Sequence, residues 1–116
     1  MDITKSVVSG VTVLELGGQA QAAPIIQALD GELRGAISLD GLKVLLDVRR
    51  IEFVDSATLE AFVSFQKKFN QVNAYMAFAN MTPYMKKIFE ITRIAELFAC
   101  FDDLDGATKA ARARRR

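Results

Sequence analysis

The chain of 116 residues contains no histidine, no tryptophan, one cysteine and two prolines. Histidine is the usual general base, metal ligand and pH switch near neutrality, so its absence excludes those chemistries together with Ser-His and Cys-His nucleophile pairs. Cys100 alone excludes an intramolecular disulfide and a thiolate zinc cluster, and it points to a reducing cytosol. The apolar runs, such as Val44-Leu45-Leu46, are far too short to cross a bilayer, and Met1–Lys5 lacks a signal-peptide apolar core. A cytoplasmic protein without membrane insertion is therefore expected. The chain also lacks G-x-x-x-x-G-K, G-x-G-x-x-G and G-x-S-x-G, which removes local support for phosphate loops, dinucleotide folds and hydrolase elbows. Neither an enzyme nor a cofactor or metal is expected.

What is present is ordinary globular composition, 51% apolar and 25% charged, enough for one core. Arg112, Arg114, Arg115 and Arg116 crowd the end of the chain, and residues 1–111 carry a net charge of −3. The expected organisation is one domain over 1–111 and a basic tail over 112–116. Such a tail could touch nucleic acid or an anionic membrane. No basic and aromatic surface upstream supports direct nucleic-acid binding, and a solvated helix end is the simpler reading.

Strand and helix signals alternate. Ile3–Val8 and Val11–Leu16, separated by Ser9-Gly10, predict a hairpin. Ala22, Ile25, Ile26, Leu29 and Leu33 follow the spacing of one buried helix face, with Pro24 in the first turn. Leu42–Val48 reads as a central strand covered on both faces. From Ser56 the helical period returns, with Leu59, Phe62, Val63, Gln66, Phe69 and Asn73 on one side and Glu60, Ser64, Lys67 and Gln71 on the other. Tyr75–Ala79 is a strand, Thr82-Pro83 opens a helix, Leu97–Phe101 is a last strand, and Asp102, Asp103 and Asp105 open a final helix. The predicted order is ββαβαβαβα, an α/β fold with a mostly parallel mixed sheet of five strands, four helices and an antiparallel N-terminal edge. Cys100 and the phenylalanines Phe53, Phe62, Phe69, Phe78, Phe89 and Phe98 are expected in the core.

The distinctive segment is Ile51–Leu59, where a buried strand gives way to Asp55-Ser56 at a helix start. Unpaired backbone N–H groups and the positive end of the dipole favour a phosphate there. Phosphorylation of Ser56 would add about −1.5 to −2 charge beside Asp55 and repel an acidic or apolar partner. The simpler reading is that Asp55 or Ser56 caps the helix. Ser56, Glu60, Ser64 and Lys67 form a polar stripe, and with Phe65 on its flank the stripe is expected to be part of a partner surface.

Val44–Leu59, with its Val54-Asp55-Ser56-Ala57-Thr58-Leu59 core, resembles the signature of STAS domains, the family of bacterial anti-sigma-factor antagonists. Met81–Ile91 is similar to that family's helix after the fourth strand, and Ile94–Phe98 to its approach to the last strand. The resemblance implies a STAS fold and a partner-switching protein in signal transduction and transcription regulation. The unphosphorylated form would bind an anti-sigma factor that is also a serine kinase. That kinase would phosphorylate Ser56 and end binding, and a serine phosphatase would reverse the reaction. Asp55, Ser56, Ala57 and Thr58 would form the switch loop, with Thr58 as a second candidate phosphoacceptor. The chain departs from the family at Thr58, at Arg93 and near Val72-Asn73, where glycine or alanine is frequent, and Gly17–Gln21 lacks the usual acidic residue. A non-phosphorylated interaction module of a stress scaffold or lipid-transporter complex is the alternative.

Overall fold

A computed structural model describes residues 1–114; the expected tail residues Arg115 and Arg116 lie outside them. The chain opens with strands β1 (Asp2–Val8) and β2 (Val11–Gln19), which pair antiparallel from Asp2↔Gly17 to Val8↔Val11. Ser9 and Gly10 both take positive φ, 52° and 80°, the two-residue turn whose twist matches a hairpin. Helix α1 (Ala22–Gly35) leads through a short 3-10 turn to β3 (Lys43–Phe53), followed by α2 (Ser56–Gln71), β4 (Tyr75–Ala79), α3 (Pro83–Ile91), a 3-10 turn (Ala95–Leu97), β5 (Ala99–Cys100) and α4 (Leu104–Ala113). The strands lie in sequence order, with every pair after the hairpin parallel. The expected α/β order and the antiparallel edge are therefore the observed ones.

One face of the sheet carries the main core, where Ile25 and Leu29 of α1, Phe62 and Phe69 of α2, and Met85 and Phe89 of α3 pack on Leu14, Leu16, Val44, Leu46 and Phe78. Phe78 is its centre, with edge-on ring contacts to Phe62, Phe89 and Phe98 at 5.0, 5.2 and 4.9 Å. Among the described residues, the opposite face is covered by α4 and by Phe101 just before it. Ala107 and Ala111 of α4 meet Leu45, Ala77 and Ala79, small residues that bring helix and sheet close together.

Helices α2, α3 and α4 each begin with a side-chain cap, from Asp55, Thr82 and Asp103. Both α2 and α3 end in the same way. Asn73 (φ 60°) and Arg93 (φ 61°) are left-handed, and the N–H groups of Ala74 and Ile94 reach back to the carbonyls of Phe69 and Phe89 at 2.8 and 3.0 Å. These are the bonds of a Schellman ending, whose left-handed residue is ordinarily glycine. The two places where the resemblance implies glycine thus fall where the backbone favours it.

Several expectations need correction. β3 continues to Phe53 with two register shifts against β2, the second between its pairs Gly18↔Ile51 and Gln19↔Phe53; Ile51 and Val54 still face the core, and Phe53 is turned off it, 53% exposed instead of buried. Ile26 is 43% exposed on α1. The last strand contains only Ala99 and Cys100, both exposed at the sheet edge. Cys100 is therefore no core residue, although partial burial of its thiol pushes the pKa up to about 11, which keeps it protonated and unreactive. The boundary placed at residue 111 falls inside α4, which includes Arg112, and Arg114 stacks on Tyr75 at 5.0 Å.

Two substitutions test these assignments by chemical denaturation. Phe78→Ala should cost about 3–5 kcal/mol, the cost of emptying a packed aromatic site. Arg93→Gly should stabilise the chain by up to about 1 kcal/mol by relieving the left-handed residue; destabilisation would show that the Arg93 side chain contributes more than its backbone costs.

Candidate functional site

The connection from β3 to α2 lies at the C-terminal end of the parallel strands, where α/β sheets commonly place binding sites. Its geometry follows from one residue pair. Asp55 is extended (φ −99°, ψ 174°) and precedes the first helical turn. Its Oδ1 accepts from the Thr58 N–H at 2.8 Å and from the Thr58 hydroxyl at 2.7 Å. The same hydroxyl lies 3.2 Å from the Ala20 carbonyl oxygen, and the Ala20 N–H donates to the Phe53 carbonyl at 2.8 Å. These bonds join the β2–α1 and β3–α2 connections. On the other side, the Val54 N–H donates to the Tyr84 hydroxyl of α3 at 3.1 Å.

Within this frame Ser56 and Ala57 are exposed while Thr58 is fully buried. Thr58 therefore does not fit the expected role of second phosphoacceptor, because its oxygen is enclosed and already bonded. Ser56 stands at the first position of α2, and Asp55 satisfies the Thr58 N–H through its side chain and the Leu59 N–H through its carbonyl. The earlier N–H groups of the turn and the helix dipole still favour an anion on Ser56. The Thr58 hydroxyl, and after it the Thr58 N–H, hold the Asp55 carboxyl below its ordinary pKa of 3.8, so the segment already carries one full negative charge at neutral pH.

The rest of the expected surface is partly brought together. Ser56, Glu60, Ser64 and Lys67 border a groove of about 650 Å³, with Leu59 and Val63 of α2 and Ile94 beyond α3 supplying its apolar surface. Phe65 does not flank it. Residues Thr58, Ala61, Phe62, Phe65, Gln66 and Phe69 face inward, which turns Phe65 into the core (2% exposed) and leaves Leu59 and Val63 half-buried at the margin. Sequence reasoning also missed Tyr84, whose contact spans 30 positions, and the exposed ring of Phe53 just before the site. Among the described residues there is no cluster of three or more potential metal-ligating side chains and no helix long and apolar enough to cross a membrane.

Residues 2–107 match the STAS domain family. The chain belongs to the STAS domain family. A relative in Bordetella bronchiseptica, named as the anti-sigma factor antagonist BtrV, is 24% identical over 110 residues, covering 95% of this chain and 94% of that one. Among solved structures, this STAS domain superposes on an anti-sigma-factor antagonist (STAS) domain protein from Planctomyces limnophilus with a TM-score of 0.81 at 22% identity, covering 97% and 100% of the two chains. It matches the unphosphorylated form of the anti-sigma factor antagonist SpoIIAA with a TM-score of 0.76 at 15% identity, covering 99% and 100%. Likeness at these identities shows the shared fold.

The Asp55–Thr58 pair can be tested by carboxyl NMR titration. Thr58→Val should move the Asp55 pKa up toward 3.8, because the largest cause of its depression is removed. It should also cost about 1–3 kcal/mol, since the Ala20 carbonyl loses a buried partner. With a depressed folded pKa, Asp55 adds stability that is present above 3.8 and lost as pH falls through the lowered value. Asp55→Asn, which keeps a capping side chain, should remove that part of the acid dependence; an unchanged acid limb would contradict the assignment.

Proposed function

We propose that this STAS domain is an anti-sigma-factor antagonist that binds a serine-kinase anti-sigma factor in the cytoplasm and is released by phosphorylation of Ser56. The observation that carries this reading is the contrast at the start of α2, where an exposed serine stands between a fixed Asp55 and a buried Thr58. The names of its relatives agree in kind, for BtrV and SpoIIAA are both called anti-sigma factor antagonists.

The chemistry is a local change of charge. A phosphate on Ser56 would bring about −1.5 to −2 charge next to Asp55, with Glu60 one turn further along the helix. The helix N-terminus accommodates that charge within the domain, while a partner surface shaped for a neutral hydroxyl and two carboxylates is repelled. Phe53, an exposed aromatic beside the switch, is the natural anchor for the bound state. The domain supplies the hydroxyl and the kinase supplies the catalysis. A serine phosphatase would restore binding.

The missing acid in Gly17–Gln21 favours a second reading, an interaction module of a scaffold or lipid-transporter complex without a phosphorylation cycle. Mass spectrometry after incubation with the kinase-type anti-sigma factor and ATP separates the two. The antagonist reading predicts one added phosphate, none on Ser56→Ala, and weaker kinase binding by Ser56→Asp. Equal phosphorylation of Ser56→Ala would place the switch elsewhere, and no phosphorylation of the native chain would favour the module. Phe53→Ala should weaken kinase binding about tenfold or more while leaving the denaturation midpoint nearly unchanged.

A further inference from the structure

The groove beside Ser56 runs the length of α2. Its α2 side runs from Ser56 through Leu59, Val63 and Lys67 to Gln71, a single stripe at three- and four-residue spacing, and Ile94 beyond α3 also lines it. At 1.5 Å per residue this is a straight track of about 22 Å. The charges along it are segregated. Glu60 lies toward the switch end, and Lys67 and Lys68 lie two turns away, separated from Glu60 by about 10–12 Å of helix. Ser64 occupies the position from which a lysine or arginine could have paired with Glu60. Among the described residues none of these three charges has an ion-pair partner, and the Lys68 ammonium rests on the Phe65 ring at 4.6 Å.

We infer that this groove receives an amphipathic helix of the anti-sigma partner, its apolar side on Leu59, Val63 and Ile94 and its acidic side chains against Lys67 and Lys68. The inference deepens the proposed function and rests on it, since the groove continues directly from Ser56. A helix fits better than an extended peptide. Both walls present side chains and neither presents a free strand edge, so an extended chain would leave its backbone N–H and C=O groups without partners, whereas a helix satisfies its own and offers knobs at the spacing of the α2 stripe. Charge sets the register: acidic residues over Lys67 and Lys68, and a basic residue two turns along over Glu60.

Photo-crosslinking in the host cell tests the proposal on the full chain. A photoreactive residue is placed at Ala57, beside the switch, or at Val63, inside the groove, and the crosslinked partner peptides are sequenced. The expected result is the same kinase-type partner from both positions, with the Val63 peptide lying in an acidic amphipathic helix. Crosslinking of that partner from Ala57 but not from Val63, or to a non-helical segment from Val63, overturns the groove proposal and leaves the Ser56 reading standing. Absence of such a partner from both positions overturns both. As a second measurement that leaves the groove's apolar lining intact, Lys67→Glu with Lys68→Glu should weaken partner binding at least about tenfold, and acid-to-lysine changes in the crosslinked helix should restore it. Unchanged affinity of the double variant contradicts the charge register.

Discussion

The site depends on a buried hydroxyl. Thr58 is fully enclosed, and its one proton lies between the Asp55 carboxylate and the Ala20 carbonyl. Because that position is interior, the first turn of α2 cannot shift without exposing a polar vacancy under the sheet's end, which makes the geometry costly to deform. Asp55 is thereby held as cap and as charge, the β2–α1 connection is tied to the β3–α2 connection, and Ser56 is left pointing outward from a fixed base. Tyr84 secures the other flank through the Val54 N–H. A switch that works by adding charge needs such a base, since repulsion acts on a partner only when the charged group cannot swing away.

Much of this was legible in sequence because local rules govern it. The Ser9-Gly10 turn, the apolar run of Val44–Val48, the Thr82-Pro83 cap and the acidic start of the last helix each signal their element through nearby residues. Asp55-Ser56 could be read as a helix start for the same reason. The errors arise where tertiary context decides. Phe53 and Phe65 are equally apolar, yet a register shift between β2 and β3 turns the first off the core, while the second shares the buried face of α2 with Thr58, Ala61 and Phe62. Cys100 is exposed because β5 is too short and too near the edge to be covered. Thr58 looked like a spare hydroxyl, and only its contact with Ala20, 38 positions earlier, gives its role. Tyr84 and Ile94 were invisible as site residues because their neighbours are distant in the chain.

The departures from the family's glycines belong to the same account. Arg93 and Asn73 adopt the left-handed conformation that ends α3 and α2, so the backbone route is preserved while a side chain replaces hydrogen. Asn tolerates this conformation well and Arg less so. Thr58 is a different case, since its side chain fills space and its single hydroxyl proton is shared between the Asp55 carboxylate and the Ala20 carbonyl. The left-handed Arg93 costs local energy; Thr58 adds to the rigidity of the β3–α2 connection.

In the proposed switch, a single added charge on a fixed turn changes partner affinity without rearranging the fold. The switch is tested most directly on the chain phosphorylated at Ser56, by amide NMR together with affinity for the kinase-type anti-sigma factor. Shifts confined to Asp55–Glu60, the Ala20 region and Tyr84 are expected, with affinity reduced at least about tenfold, or about 1.4 kcal/mol. Shifts spread through the β-sheet, or an affinity unchanged by the phosphate, would contradict it.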